Sequence, residues 1–385
     1  MGQRDGGSQA PGPYLSYVHL YLHVPFCARR CSYCDFAIAV RTKTPSEAYV
    51  EAVLAEWEAW QSCPAWRLSD TVRTIYFGGG TPSRLTPDAL DRVLHRIRQG
   101  RPVDLGAELT LEANPDDVTA DRASAWARSG INRVSLGAQS FDPDVLRWMH
   151  RTHGPEQIQC AVRVLRHAGF ANVSLDLIYG LPTVLHRDWR ADLDQAVALE
   201  PEHLSLYGLT VEPHTALAKW TLRGEVAPAD DGAAAEEYLL AHRLLAGGGF
   251  EHYEVSNFAR PGCRSRHNAA YWARAPFLGL GPSAHSGYGT VRSWNFREWE
   301  SYRRRISAGQ TTTESQEELG PAQVRLEELY LGLRTLEGVA TPQVPATEAE
   351  LWTHEGWAAP CGGRLRLRPE GWLRLDSLVA RLTDS

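Results

Sequence analysis

Along the first half of the chain, short apolar and β-branched runs alternate with longer stretches of helical periodicity. The strand candidates are Val18–Leu22, Arg73–Phe77, Glu108–Leu111, Arg133–Leu136, Val173–Ile178 and Leu204–Leu206. Helical patterns lie between them. Ser46–Trp60 opens on Thr44-Pro45-Ser46-Glu47, a helix-start signal, and Pro87–Gln99, Ala120–Ser129, Pro155–His167 and Leu185–Leu199 follow. Strand–helix units in succession predict a parallel sheet with helical crossovers. Six such units are too few to close an eight-stranded barrel. The expected fold is therefore α/β, a partial (β/α)6 TIM-like barrel over residues 14–215, open on one side to admit a large substrate.

Beyond about Thr215 the alternation breaks. Ala227–Gly249 reads as a Pro/Asp/Gly turn and an Ala/Leu-rich helix, and Phe250–Phe258 as a strand. A loop rich in Arg, His, Asn, Tyr and Trp and a glycine-rich stretch, Gly279–Gly289, come next. Residues 216–310 are expected to complete the barrel. From 311 onward the pattern predicts a C-terminal α+β, winged-helix-like domain. Its helix is Ala322–Leu336; Arg364–Arg368, a turn and a strand within Pro369–Leu375 form the wing, and Ser377–Leu382 the last helix. Residues 1–13, polar and glycine-rich, read as a disordered tail with no secretory h-region.

Composition narrows the function classes. The net charge of −6 sets up no field that draws in nucleic acid or anionic lipid, so the wing is not expected to read DNA. No apolar run reaches the length of a membrane span. Four of the seven cysteines, Cys63, Cys160, Cys263 and Cys361, are scattered without a disulfide pattern. That usage fits a reducing cytoplasm.

The other three cysteines carry the chemistry. Cys27, Cys31 and Cys34 form a CxxxCxxC run in a loop directly after the first strand. Three thiolates are one too few for a closed zinc or iron–sulfur site. A cubic cluster held by three leaves one iron open to a ligand; reduced thiols, or zinc with a distant fourth ligand, are the alternatives. Each predicted strand runs into polar or glycine-rich sequence at its C-terminal end, where barrels gather their chemistry. The second strand leads into Gly78-Gly79-Gly80-Thr81-Pro82, the third ends at Glu112, and the fourth at Gln139, with Arg151 beyond. The fifth carries Asp176 inside an apolar run, and the sixth passes into Tyr207-Gly208. A buried carboxylate is costly unless paired or used.

Taken in order, these segments resemble the oxygen-independent coproporphyrinogen III oxidase-like family of radical S-adenosylmethionine (SAM) proteins, and within it the HemW, heme-chaperone, branch. The carrying motifs are YLHVPFC at 21–27, GGGTP at 78–82, LEANP at 111–115, LGAQSF at 136–141, DLIYGLP at 176–182, YGLTVEP at 207–213, HNAAYW at 267–272 and GLGPSAHS at 279–286. The resemblance implies a 4Fe-4S cluster on Cys27, Cys31 and Cys34. It implies SAM contacts from Tyr21, Tyr33, Gly79, Gly80, Thr81, Glu112, Gln139, Arg151, Asp176, Gly208 and His285. In such enzymes the open iron chelates the amino and carboxylate groups of SAM.

Two departures separate this chain from the family's true oxidases. Those enzymes carry a further Cys two residues after the third, where Phe36 stands here. They also have a longer segment before the cluster than the 26 residues preceding Cys27. Both put decarboxylase activity in doubt. The branch marker HNxxYW is present as His267-Asn268-Ala269-Ala270-Tyr271-Trp272 and implies heme binding. His267 could ligate iron, with Tyr271 and Trp272 as flat apolar surface and Arg260, Arg264 and Arg266 for the propionates; Cys263 is a second possible ligand. Alternatively, His267 packs within a domain junction. The implied partners are heme and apo-hemoprotein recipients, membrane-bound respiratory enzymes among them. Two other functions stay in play: oxidative decarboxylation of coproporphyrinogen, and a silent iron–sulfur module.

Overall fold

The computed structural model describes residues 17–62 and 71–382. The expected tail at 1–13 and Cys63 lie outside them. The six predicted strands all form. They are β1 (Tyr17–Val24), β2 (Thr71–Gly79), β3 (Val103–Ala113), β4 (Arg133–Gln139), β5 (Val173–Tyr179) and β6 (His203–Gly208). They lie side by side in chain order, every neighbouring pair parallel. After β7 (Glu251–Glu254) and β8 (Asn257–Ala259), a further parallel strand, β9 (Phe277–Leu280), adds beside β1. The antiparallel strands β10 (His285–Tyr288), β11 (Val291–Asn295) and β12 (Thr313–Glu318) extend that side. The full order is β12-β11-β10-β9-β1-β2-β3-β4-β5-β6-β8-β7.

The crossover helices start and stop where local chemistry directs. At Pro87–Gly100 the Thr86 side chain accepts the Ala89 N–H, and Pro87 occupies the first turn, where its missing N–H costs nothing. At Ala120–Ser129 Thr119 caps the start, and Gly130, at φ 93°, takes the left-handed conformation that ends the helix. Their apolar faces (Leu90, Val93, Leu94 and Ile97; Ala123 and Trp126) are fully buried against the outer face of the sheet. Strand register puts apolar positions at matching heights on that face: Leu22 opposite Phe77, Phe77 opposite Leu111, Leu111 opposite Val134 and Val134 opposite Val173. Each such side chain contributes about 1.5–3 kcal/mol by leaving water.

The alternate strand positions are polar. His19, Tyr21 and His23 on β1, Thr74 and Tyr76 on β2, Glu108, Thr110 and Glu112 on β3, Arg133 and Ser135 on β4, Ser174 and Asp176 on β5, and His203 and Ser205 on β6 occupy the inner face. A period of two separates an apolar shell from a polar interior. Buried polar groups need partners, and several of these find each other: His19 Nδ1 lies 2.9 Å from Thr74 Oγ1, and His203 lies 2.8 Å from both Ser174 Oγ and the Tyr253 hydroxyl.

Several expectations for the second half are corrected. Phe250–Phe258 is not one strand but the hairpin β7–β8, the short sheet edge beside β6. The segment expected to be a loop contains a helix, Arg266–Trp272, started by the Ser265 side chain accepting the Asn268 N–H. Thr313–Glu318, placed by the sequence pattern in the C-terminal unit from 311, pairs with β11 and extends the large sheet; its polar run TESQEE carries no apolar alternation to reveal it. The wing hairpin lies one strand earlier than expected. Ala358–Cys361 pairs with Arg364–Leu367 around Gly362-Gly363, both at positive φ, while Pro369–Trp372 opens a short helix. The last helix is Leu375–Arg381. This C-terminal part has its own core of Leu329, Leu333, Trp352, Leu365, Trp372 and Leu378, joined by Tyr238 from the helix Asp231–Gly247. No helix among the described residues is long and apolar enough to cross a membrane.

Candidate cofactor site

The cysteine loop leaves β1 through Val24-Pro25 and is closed at its base by a two-residue parallel bridge, Phe26–Cys27 with Ala39–Val40. Ala39 N–H donates to Pro25 O at 2.7 Å and Arg41 N–H to Cys27 O at 2.9 Å. Its middle is tied down from outside, Ser32 N–H donating to Met149 O and Leu217 N–H to Ser32 O. Thr81 Oγ1 donates to Cys27 Sγ at 3.3 Å, and Arg151 Nη1 to Cys31 Sγ at 3.4 Å. The three cysteines line one cavity of about 380 Å³.

Nine of the eleven residues implied as SAM contacts line this cavity with the cysteines. From β2 come Gly79 and Gly80, with Thr81 just beyond. The glycines are required by β1 as much as by any ligand. A Cβ on Gly79, at φ 109°, would lie 2.5 Å from the His23 ring, and one on Gly80 would lie 2.8 Å from Pro25 backbone. From β3 comes Glu112, whose Oε1 accepts from the Tyr76 hydroxyl at 2.8 Å and Oε2 from Gly79 N–H at 3.0 Å. Burial pushes its carboxyl up to about 7. From β4 comes Gln139, in the left-handed region at φ 71°. From β5 comes Asp176, which accepts from Ser135 Oγ at 3.0 Å and is raised by burial. Gly208 ends β6, and Tyr33 lies in the cysteine loop. Arg151 completes the set. Its Nη2 is held by Asn114 Oδ1 at 2.6 Å and Gly137 O at 2.9 Å.

The structure does not bring the other candidates to this cavity. Tyr21 is one layer deeper, its hydroxyl 3.1 Å from His23 Nδ1. His285 is exposed on β10, stacked on Trp294 with ring centroids 5.8 Å apart. His267 is buried at the base of the barrel with both ring nitrogens engaged, Nδ1 2.6 Å from Thr74 Oγ1 and Nε2 2.8 Å from the Tyr271 hydroxyl. Arg264, one candidate for a propionate, is already paired with Glu251 and Glu337. Tyr76, Asn114 and Ser135 belong to the site or its support and are not among the residues the sequence predicts there, while Tyr207, named at the end of the sixth strand without a role, lines the cavity. The strand period would have found Tyr76, two residues before Gly78, and Ser135, two before Gly137.

The donor set fits an iron–sulfur cube. No three metal-ligating side chains converge on a single point among the described residues. A cube spreads its thiolates over different irons, so convergence is not needed. As bare thiols Cys27 and Cys34 are raised by burial, Cys34 to about 11; iron would displace those protons.

The sequence model of the Radical SAM superfamily matches residues 21–196. Heme chaperone HemW of Mycobacterium tuberculosis (strain ATCC 25618 / H37Rv) is 36% identical over 373 residues, 94% of each chain. The chain belongs to the HemW family of radical SAM proteins. The HemW relative in Escherichia coli (strain K12) is 38% identical over 70% of each chain. A Bos taurus relative, radical S-adenosyl methionine domain-containing protein 1, mitochondrial, is 32% identical, covering 96% of this chain and 85% of its own length. Among solved structures, the coproporphyrinogen III oxidase HemN from Escherichia coli superposes with a TM-score of 0.78 over 96% of this chain and 90% of that one. At 20% identity that likeness speaks for the fold, the radical SAM partial barrel.

Proposed function

We propose that this chain is a heme chaperone: it binds heme and delivers it to apo-hemoproteins, membrane-bound respiratory enzymes among them, and holds a 4Fe-4S cluster and SAM in the barrel cavity. The observation that carries the reading is full-length kinship, 36% identity over 94% of both chains, to a relative named a heme chaperone. The setting is the cytoplasm, where thiols stay reduced.

Cys27, Cys31 and Cys34 would hold the cluster, which when bound supplies an electron and an open iron for the amino-acid end of SAM. The chain's own residues do the rest. Arg151, fixed by Asn114 and the Gly137 carbonyl, offers a cation to the SAM carboxylate. Glu112 and Asp176 offer acceptors to amine and ribose hydroxyls, and the bare backbone at Gly79 and Gly80 allows close approach. Phe36, 60% exposed, and Tyr207, 45% exposed, both line this cavity and offer ring faces on which a porphyrin could stack.

The test is one anaerobic preparation with its cluster reconstituted. Heme is titrated in, transfer to an apo-cytochrome is followed by absorbance, and SAM cleavage and coproporphyrinogen turnover are assayed on the same sample. Tight heme binding and transfer without decarboxylation is expected. Stoichiometric conversion to protoporphyrinogen would overturn the reading in favour of an oxidase.

A further inference from the structure

The HNxxYW segment turns its histidine inward. The N–H groups of Arg266 and His267 both donate to the Glu108 carboxylate, at 2.9 and 3.0 Å, which seats the helix start on the floor of the barrel. Burial drives the imidazole well below its usual pKa. Thr74 and Tyr271 occupy its two nitrogens. The ring meets Tyr271 edge-on, with centroids 4.8 Å apart, and stacks on Tyr76 with centroids 5.0 Å apart and planes 26° apart. Tyr21 stacks against both, at 6.3 Å from His267 and 6.1 Å from Tyr76. Tyr76 then reaches upward and its hydroxyl donates to Glu112 in the cavity wall. An aromatic stack therefore runs from the barrel floor to a cavity carboxylate.

We propose that His267 is a positioning residue for the cofactor cavity, buttressing the Tyr76 ring so that its hydroxyl orients Glu112 toward the bound ligand. This rests on the reading of the cavity as the SAM site. With one donor on each oxygen, Glu112 keeps a lone pair on each for an ammonium or ribose hydroxyl. Turning about its own axis leaves a tyrosine's phenol oxygen in place; swing of the whole ring about the first torsion would carry it off Glu112, and the rings packed on the Tyr76 face oppose that swing. Without the phenol the carboxylate is less fixed and more readily protonated, because a hydrogen bond to the charged form favours that form.

The experiment measures SAM affinity across neutral pH on the cluster-loaded full chain. It compares wild type with Tyr76→Phe, His267→Ala, the double variant and Tyr271→Phe. The ionisable groups facing Glu112 are Tyr21, Tyr76, Arg133, Asp176, Tyr207 and Tyr271, and only Tyr76 and Tyr271 are altered. Tyr76→Phe and His267→Ala are each expected to weaken SAM about 10-fold, the worth of one hydrogen bond to a charged group. Each should also move the midpoint of the pH dependence upward. The double variant should be no weaker than the worse single, since both act through one phenol. Tyr271→Phe should give a smaller loss in the same direction, and it keeps the test alive if His267→Ala fails to fold. Heme binding should persist throughout.

Three results overturn the proposal: losses that multiply in the double variant; a folded, cluster-loaded His267→Ala with unchanged SAM affinity; or loss of heme with the SAM affinity and pH midpoint intact, which would return His267 to an iron ligand. Wild-type protein that binds no SAM removes the cavity assignment itself, and shows this before any variant is made.

Discussion

Glu112 carries a conflict between folding and binding. Burial lifts its carboxyl to about 7, so the folded chain holds a proton that the unfolded chain releases near pH 4.5. The stability this represents is fully present below the unfolded value and is lost as pH rises through about 7. Glu112→Gln, neutral at every pH, should therefore raise the melting temperature of the free protein above neutral pH, by a free energy on the order of 3 kcal/mol at most. A ligand ammonium, by contrast, wants the carboxylate. SAM affinity should fall up to about 10-fold per pH unit below 7 in wild type, and should be weaker and flat in Glu112→Gln. Isothermal titration across that range checks both signs; an unchanged pH slope in Glu112→Gln would remove Glu112 from the site. The residue was recognisable as a candidate from its place at a strand end. Its protonation was not, because that depends on burial by strands distant in sequence, on the Tyr76 hydroxyl and on Asp176.

At the level of elements, Glu56 shows how the later strands are locked onto the early ones. It lies on the helix Ser46–Gln61 and is fully buried. One oxygen accepts from Asn295 Nδ2 at 2.6 Å and Thr312 Oγ1 at 2.7 Å; the other accepts from Gly281 N–H at 2.8 Å and the Tyr302 hydroxyl at 2.7 Å. A helix between the first two strands thus gathers the β9–β10 turn, the end of β11, the approach to β12 and the helix Trp299–Ser307. Glu56→Ala leaves those donors buried and unpaired, and should cost about 3–5 kcal/mol in urea unfolding. A loss under 1 kcal/mol would mean that the junction is held by apolar packing alone. The pattern of apolar positions could not reveal this contact: a glutamate in a helix of ordinary periodicity reads as solvent-facing, and its partners lie more than two hundred residues away.

For the molecule as a whole, two cores meet where the barrel passes into the C-terminal part. Arg334, at the end of the helix Pro321–Leu333, pairs with the buried Glu254 at 2.8 Å, and its guanidinium lies 4.0 Å from the centre of the Trp272 ring. Glu327 pairs with both Arg274 and Arg292. The second core includes Trp352, which is fully buried. Trp352→Ala should remove about 3–5 kcal/mol from that core and give a two-step thermal melt, with the iron content of the reconstituted cluster retained after the first step. A single cooperative transition that takes the cluster with it would show one folding unit instead.

The chain's local pattern determined the parallel strand–helix alternation, most helix boundaries and the cysteine loop, because periodicity, caps and proline or glycine punctuation act over a few residues. It also marked most of the cavity wall, since strand ends in such a barrel converge whatever lies between them. Only the tertiary structure decided that His267 is buried with both ring nitrogens engaged, that Tyr21 and His285 stand away from the cavity, and that Thr313–Glu318 joins the large sheet. Each of those outcomes depends on which partner reaches a side chain or strand edge from a distant part of the chain, and neighbours in sequence carry no record of that.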